Sequence, residues 1–241
     1  MPVKRIVPQR NKVTKKTMLI AGGMAIALAS GPTGTAQTAK PLPFFDQVGK
    51  MTVDVDGAPN AYGPPGKPAL DFEKNAHTGG TLRGPIVGYL MEHGKPVIQG
   101  PHDPKPGYYI STTDFRDDSI DDDRNPRKYV DATKINYVVL GNFGKRHKVK
   151  LGDLVVVHSH ETEKTVYAIV GDSGNAAGTE GSLALLQAMG YPYKDGKDDA
   201  VEDPKIVIRY YPGSNPEHVF FRSQTEIDKA AEALKLNRKF H

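Results

Sequence analysis

The stretch DLVVVHSHETEKTVYAIVGDSGNAAGTEGSLALLQAMG, at residues 153–190 of the 241-residue chain, decides the fold. It opens with two apolar, β-branched runs, DLVVVHSH at 153–160 and KTVYAIVG at 164–171, linked through SHETEK. Runs of this length and composition predict strands, and a short polar link between them predicts a hairpin turn. The following residues, 183–189, are apolar and end at Gly190 with Pro192 beyond, which predicts a short helix.

Further strands are predicted on both sides of this hairpin. INYVVL at 135–140 and KIVIRYY at 205–211 have the same β-type composition, and residues 40–110 contain short apolar pieces separated by Gly and Pro. Near the C-terminus, Thr225 with Asp228 resembles a helix-capping box. Four apolar residues then fall on one helical face, which we expect to pack on the outside of the sheet: Ile227, Ala230, Ala231 and Leu234. The pattern predicts a mainly β domain with one or two helices, most simply a closed barrel.

Two acids interrupt the central stretch where a plain strand-to-helix connection needs neither. Asp172 follows the second strand, and Glu180 precedes the helix, with small residues between them. One interpretation is structural, because Asp suits a turn and an acid is stabilised at a helix N-terminus. The other is glycoside hydrolysis. Carboxyl groups roughly 6.5–9.5 Å apart leave room for an attacking water, and hydrolysis then inverts the configuration at the anomeric carbon. Small residues in the loop would let a bulky ligand approach the backbone.

Two other chemistries use the same region. The tetrapeptide at 171–174, GDSG, matches the nucleophile segment of chymotrypsin-like proteases, which also need a His and an Asp from elsewhere. His158 and His160 stand two residues apart on a predicted strand, so their side chains share a face and could bind a metal, with Glu161 beside them. The sequence offers no third ligand within reach, so we predict no metal site and treat both histidines as hairpin residues.

The first 39 residues differ from the rest. Residues 1–16 hold six Lys/Arg and no acid, residues 18–29 are an uncharged apolar run, and small and polar residues follow. This order is typical of a secretory signal peptide, with cleavage after Ala29 or Ala36, and the run is shorter than the about 20 residues that span a bilayer. We expect a leader at 1–39 and a single secreted domain at 40–241, away from the membrane once the leader is removed. The alternatives are a basic tail with a short buried helix, or an uncleaved anchor.

Charge and cysteine content exclude several function classes. The chain carries 32 Lys+Arg against 28 Asp+Glu, but six bases and no acids lie in residues 1–39, which leaves 26 against 28 in the remainder. The basic balance therefore belongs to the leader, and it gives no support to nucleic-acid binding. The absence of Cys excludes disulfides, thiol catalysis and iron–sulfur clusters. A domain of about 200 residues can be stable without them, because it buries roughly 70% of its unfolded surface.

Several segments resemble, in order, the glycoside hydrolase family 75 chitosanases and their bacterial relatives. The segments are DVDGAPNAYGPPG (54–66), ALDFEKNA (69–76), KPVIQGPHDPKPGYYISTT (95–113), RNPRKYVDATKINYVVL (124–140), KLGDLVVV (150–157), YAIVGDSG (167–174) and EGSLALLQAMG (180–190). The resemblance covers about residues 51–211. It departs at Thr179, where the family usually has Gly, and in the absence of Trp.

The resemblance implies a compact six-stranded, double-psi-like β-barrel and endo-hydrolysis of β-1,4-linked glucosamine polymer with inversion, without metal or organic cofactor. It implies that Asp172 and Glu180 are the catalytic pair, and we take Glu180 as general acid and Asp172 as general base, with the reverse nearly equal. Hydrogen-bonding residues in its motifs are candidates for substrate binding, or else ordinary turn residues: Asp54, Asp56, Asn60, Tyr62, Asp71, Asn75, Thr112 and Thr113.

Substrate contacts follow from the same resemblance. Without Trp, sugar stacking falls to Tyr62, Tyr108 or Tyr109. An acidic loop within 114–127 could attract a polycation, or could be a solvated turn; its acids are Asp117, Asp118, Asp121, Asp122 and Asp123. We expect a monomer whose partner is the polysaccharide. The alternatives are a hydrolase of another amino-sugar polymer, such as peptidoglycan, and a carbohydrate-binding protein without turnover.

Overall fold

The structure, a computed structural model, describes residues 41–76, 88–174, 176–197 and 199–240. All of them belong to one structural unit, Lys40–His241. The leader predicted for residues 1–39 lies outside the described residues, as does part of the strand expected around residues 85–90.

Eight strands and three α-helices make up the described part of the chain. The strands are β1 (Phe45–Asp54), β2 (Met91–Glu92), β3 (Lys95–Pro96), β4 (Tyr137–Leu140), β5 (Leu154–Ser159), β6 (Lys164–Ser173), β7 (Glu180–Ser182) and β8 (Ala200–Tyr210). The helices are α1 (Asn142–Arg146), α2 (Leu183–Ala188) and α3 (Gln224–Ala233), with 3₁₀ turns at Glu73–Ala76 and Pro126–Lys128.

Six of the strands close into a barrel in the order β1-β7-β4-β6-β5-β8, and β8 pairs with β1 to complete the circle. Two neighbouring pairs are parallel, β1 with β7 and β4 with β6, and the other pairs are antiparallel. Strands β2 and β3 form a separate two-stranded sheet. The prediction of a mainly β, closed six-stranded barrel with flanking helices is confirmed.

Burial in the core explains the apolar composition of the central strands. Every residue of β4 and β5 is buried, so these strands are continuous apolar runs with little polar alternation. Each buried Val, Leu or Ile contributes roughly 1.5–3 kcal/mol to folding. The hairpin predicted at SHETEK is present, since β5 and β6 pair antiparallel from Ser159–Lys164 back to Leu154–Ile169.

The C-terminal helix begins earlier than predicted. Ser223, rather than Thr225, is the N-cap, and its hydroxyl accepts a hydrogen bond from the backbone N–H of Glu226. The carboxylate of Glu226 in turn accepts from the backbone N–H of Arg222, 2.7 Å away. Ser223 and Glu226 therefore take the places that the sequence analysis gave to Thr225 and Asp228, although the Glu226 carboxylate binds the N–H of the residue before the cap rather than that of the cap itself.

Helix α3 packs on β6. Ile227 and Ala231 are buried, Ala230 packs at the edge of the core, and Leu234 is 41% exposed, so the predicted apolar face is one residue shorter than expected. None of the helices within the described residues is long and apolar enough to cross a bilayer.

Candidate active site

An open cavity of about 650 Å³ lies at the ends of β1, β6 and β7. Its acidic lining residues are Asp54, Asp56, Asp71, Asp172, Glu180, Asp199 and Glu202, and its lysines are Lys74 and Lys197. The predicted pair, Asp172 and Glu180, therefore opens onto one cavity rather than onto opposite faces of the barrel. The lining has a strong excess of acidic groups.

Strand pairing sets the spacing of that pair. Asp172 is part of β6 and pairs with Val139 of β4, while Gly181 of β7 pairs with Val138 on the other side of β4. The acids thus lie on two strands that flank β4. Two strand spacings place their backbones roughly 9.5 Å apart, and both side chains line the same cavity.

The local context of both acids differs from the sequence prediction. Asp172 lies within β6 rather than after it, and Glu180 begins the short strand β7 rather than the first turn of α2. The cap of α2 is Ser182, whose hydroxyl accepts from the N–H of Leu185 and donates to the carbonyl of Ile135. Helix-dipole stabilisation of Glu180 is therefore not the reason for an acid at this position.

The small residues between the two acids allow the loop to pack closely against the protein's own backbone, rather than against a ligand. Gly178 has φ +61°, and a Cβ on it would lie 2.7 Å from the backbone nitrogen of Gly141. The loop is fastened beside this contact, because the carbonyl of Ala176 accepts from the N–H of Asn142 and that of Ala177 from the side chain of Gln47. The loop thus fixes where β7 begins, and with it Glu180.

Asp172 is 4% exposed, and two hydrogen bonds reach the same oxygen of its carboxylate. Its Oδ1 accepts backbone N–H bonds from Asp114 at 2.9 Å and from Ser173 at 2.7 Å. Burial, together with the charge of Asp54, nevertheless raises the pKa of Asp172 well above its ordinary value. Because Oδ1 is occupied by two donors, a proton on this carboxyl group belongs on Oδ2.

Asp54 ends β1, next to β7, where Thr52 pairs with Glu180. Its Oδ1 accepts the backbone N–H of Asp56 at 2.8 Å. Burial, and next the charge of Glu180, raises the pKa of Asp54 to about 7. The charge of Glu180 therefore acts on Asp54, and it acts on Asp56 as well.

Asp56 completes a cluster of three carboxylates. One oxygen from each of Asp54, Asp56 and Asp172 lies within 4.8 Å of the other two. Asp56 accepts the hydroxyl of Tyr62 at 2.7 Å, and burial followed by the charges of Asp54 and Asp172 raises its pKa well above normal. Carboxylates this close cannot all ionise together, so the cluster shares protons near neutral pH.

The sequence analysis gives Asp54 and Asp56 as substrate-binding or turn residues and does not predict this cluster. The signal is present in Asp-Val-Asp at 54–56, because alternate residues at a strand end point to one side. Asp-Gly at 56–57 obscures it, since that pair also favours turns. Tyr137 supports the arrangement from the barrel interior by donating its hydroxyl to the carbonyl of Asp56 at 2.9 Å.

The other predicted binding residues divide into two groups. Asp71 and Asn75 line the cavity and bond to each other, Asn75 Nδ2 to Asp71 Oδ1 at 2.7 Å. Asn60, Thr112 and Thr113 are not among its lining residues. Thr113 is buried, donates to the carbonyl of Phe115 and accepts the N–H of Val130, so its role is structural.

The aromatic residue at the cavity rim is one that the sequence analysis missed. Tyr62 lines the cavity but is only 3% exposed, Tyr109 is likewise buried against Tyr89, and Tyr108 is not among the lining residues. Phe72 is 41% exposed and follows Asp71 of the lining.

Two lysines of the cavity lining flank the Phe72 ring. The Nζ atoms of Lys74 and Lys197 lie 4.9 Å and 5.8 Å from its centre. Phe72 is not itself among the lining residues, but it is an exposed ring beside two lysines of the lining.

The acidic loop is not the source of the cavity's charge. Asp117 is buried and paired with Arg222, Asp123 bonds Lys128 at 2.6 Å, and Asp122 accepts the N–H of Arg124. None of the loop's five acids lines the cavity. The excess negative charge comes from the strand ends themselves.

The protease interpretation of GDSG is wrong. The Ser173 hydroxyl donates to the carboxylate of Asp114, and no histidine of the described residues lines the cavity. His158 pairs with Thr165 at the other end of β6, roughly 25 Å from Ser173 along the strand. The constellation of a nucleophile, its base and an orienting acid is therefore not assembled.

The prediction that the two histidines lack a third ligand rests on linear spacing alone. In the structure, ligand atoms of His158, His160 and Glu163 lie within 4.8 Å of one another. The neighbour considered from sequence, Glu161, instead faces Tyr191 and Lys205.

No protein-family model matches this sequence, and no curated protein matches it either. The likeness to family 75 chitosanases therefore remains a resemblance of motifs, and the function is argued from the cavity.

Proposed function

We propose that this protein is a secreted hydrolase that cleaves β-1,4-linked glucosamine polymer with inversion. The observation that carries the proposal is the acid cavity, where Asp172 and Glu180 approach from strands on either side of β4. One carboxyl group of the pair is buried with a raised pKa. Inverting glycosidases need one protonated acid and one ionised base across a water-sized gap, and the buried carboxyl group with a raised pKa suits the first of these roles.

The charge of the cavity supports a cationic substrate. Seven acids against two lysines line it, and the four acids outside the proton-sharing cluster still outnumber the lysines, while chitosan carries an ammonium group on each glucosamine unit. Opposite charge concentrates such a polymer at the cavity and orients it. Peptidoglycan and chitin offer less positive charge, because their sugars are N-acetylated. Peptidoglycan also adds carboxylates, which the acidic lining repels. The same charge argument predicts weaker binding at higher salt.

The raised pKa of Asp172 favours Asp172 as general acid, which leaves Glu180 as general base, the reverse of the assignment made from sequence. Burial and the charge of Asp54 both favour the protonated form of Asp172. In the proposed step, Asp172 gives that proton to the glycosidic oxygen as the bond to the anomeric carbon breaks. Glu180 takes a proton from the water that attacks the opposite face of that carbon.

Asp54 is coupled electrostatically to both catalytic groups. Its negative charge raises the pKa of Asp172, and the charge of Glu180 raises the pKa of Asp54 in turn. Asp54 therefore helps the acid to hold its proton. Asp56 joins the same proton-sharing group and is oriented by Tyr62.

The experiment that tests the proposal is release of reducing ends from chitosan, chitin and peptidoglycan by the full-length chain. Asp172→Asn and Glu180→Gln should each lower chitosan cleavage at least about 100-fold, because each removes a proton-transfer group. Asp118→Asn is the matched control, since Asp118 is exposed and not part of the cavity lining. Retained activity in both cavity variants refutes the assignment, and cleavage of peptidoglycan alone refutes the substrate.

A further inference from the structure

A cluster of three metal-binding side chains lies at the hairpin end of β5 and β6, apart from the acid cavity. His158 and His160 have ring centres 4.8 Å apart and planes at 85°, and one ligand atom from each lies within 4.8 Å of a Glu163 carboxylate oxygen. Thr165, which pairs with His158, precedes Asp172 by seven residues on β6, so roughly 23 Å of strand separates the two places.

His158 is the fixed member of the cluster. It is 7% exposed, its Nδ1 lies 2.9 Å from the hydroxyl of Thr165, and its ring stacks on Phe240 with centres 4.9 Å apart and planes at 10°. A hydrogen bond at one ring nitrogen is the usual device that orients a histidine to bind metal through the other.

His160 and Glu163 are the adjustable members. Both are exposed, so their side chains can move without disturbing the core. Ligand atoms around a tetrahedral zinc ion lie about 3.3 Å apart, given bonds of about 2.0–2.1 Å. Closing the cluster from 4.8 Å therefore takes a shift of about 1.5 Å, within the reach of exposed side chains.

The two glutamates of the hairpin turn have different partners, and only one of them belongs to the cluster. The hydroxyl of Tyr191 donates to Glu161 Oε2 at 3.3 Å, and the ammonium group of Lys205 lies 3.8 Å from the same oxygen. Glu163 is the acid that meets the histidines. Glu161 has the same charge and lies in the same turn, so it provides a matched control.

We propose that His158, His160 and Glu163 bind one divalent transition-metal ion of the zinc class, with water completing the coordination. Two imidazoles and one carboxylate are a ligand set that zinc accepts with an open position. The ion would join β5 to the start of β6, and its expected effect is on stability rather than on turnover in the distant cavity. The inference stands independently of the proposed hydrolase activity.

The test is titration of Zn²⁺ into the full-length chain, without an affinity tag and after treatment with a chelator, followed by calorimetry. We expect one equivalent to bind and the melting temperature to rise. His160→Ala and Glu163→Gln should weaken binding at least about 10-fold, as loss of even an outer-shell partner does. Glu161→Gln and His218→Ala, the latter at an exposed histidine outside the cluster, should leave affinity unchanged.

A second readout protects the test from misfolded variants. Co²⁺ bound by the wild type should give the intense visible absorption of a low-coordinate site, and His160→Ala should lose it while keeping its metal-free melting temperature. Binding at several weak sites, or equal loss of affinity in the Glu161 and Glu163 variants, overturns the proposal. So does loss of affinity on replacing His241, which lies outside the described residues, with none on replacing His160.

Discussion

Asp54 and Glu180, 126 residues apart in the chain, lie on the neighbouring strands β1 and β7, and the charge of Glu180 helps raise the pKa of Asp54 to about 7. The parallel register pairs Glu180 with Thr52 and Asp54 with Ser182, which brings both acids to one cavity. The charge of Glu180 raises the pKa of Asp54 and of Asp56, and the charge of Asp54 raises that of Asp172, so these acids titrate together.

The first prediction concerns the pH dependence of chitosan cleavage in Asp54→Asn. The charge of Asp54 raises the pKa of Asp172, so removing it lets Asp172 lose its proton at lower pH. The basic limb of kcat/KM should therefore move to lower pH, relative to the wild type and to Asp118→Asn. A profile of kcat/KM between about pH 4 and 9 measures the shift, and an unchanged or upward-shifted limb contradicts the role given to Asp54.

The second prediction concerns stability. The folded protein raises the pKa of Asp54 and Asp172 above the ordinary value of 3.8, so their contribution to stability is fully favourable below that pH. It is lost as pH rises towards about 7 and beyond, because both groups must then ionise while buried. Asp54→Asn and Asp172→Asn should therefore gain in melting temperature over the wild type, and more at about pH 8 than at about pH 5. Scanning calorimetry at the two values tests this, and a gain that is equal at both contradicts it.

The third prediction concerns the loop between the catalytic acids. Gly178→Ala forces a side chain into a positive-φ position and against Gly141, which should cost more than the about 1–2 kcal/mol of the backbone conformation alone. It should also displace Glu180 and lower kcat. Gly66→Ala is the control, because Gly66 has φ +89° and no atom lies within 4 Å of the position that a Cβ would occupy there. Equal effects of the two changes on kcat and unfolding free energy would contradict the loop's role.

The fourth prediction concerns Phe72 at the cavity rim. A sugar ring stacking on its exposed face contributes to binding but not to proton transfer, so Phe72→Ala should raise KM for chitosan several-fold and leave kcat nearly unchanged. Phe44→Ala removes a ring of similar exposure, 42%, whose ring contacts, Tyr211 and Arg209, are not lining residues, so it should leave both constants as they are. A fall in kcat at constant KM would argue against a stacking role.

The fifth prediction separates the two candidate caps of α3. Ser223→Ala removes the hydroxyl that accepts the Glu226 N–H, and it should lower the free energy of unfolding by about 1 kcal/mol. Thr225→Ala lies inside the helix and should be nearly neutral, because alanine is the better helix former there. Urea unfolding of the two variants distinguishes them, and a larger loss in Thr225→Ala would favour Thr225 as the cap.

The strands of the barrel are predictable where a buried strand has a continuous apolar sequence, as in β5 and β6. Strand β7 is not, because Glu180, Gly181 and Ser182 carry no strand pattern and become a strand only through pairing with β1 and β4. Long-range pairing, rather than local preference, makes this element.

The site residues divide in the same way, into those that local sequence indicates and those that depend on long-range packing. Asp172 and Glu180 stand out as acids beside a Gly-rich loop, so sequence reasoning reaches them. The involvement of Asp54 depends on how β1 and β7 align, and the exposure of Phe72 depends on which aromatic rings the core takes up. Thr113 has the right chemistry for a sugar contact, but its hydroxyl is used by Phe115 and Val130.

The most direct measurement of the central claim is the anomeric form of the first product. Hydrolysis of a glucosamine oligomer by the full-length chain, followed by proton NMR from the first minutes, reports which anomer appears before mutarotation. Attack by water from the Glu180 side, with Asp172 protonating the leaving oxygen, predicts that the α-anomer forms first. Early β-anomer, or no cleavage while the oligomer still binds, would contradict an inverting acid–base pair at this cavity.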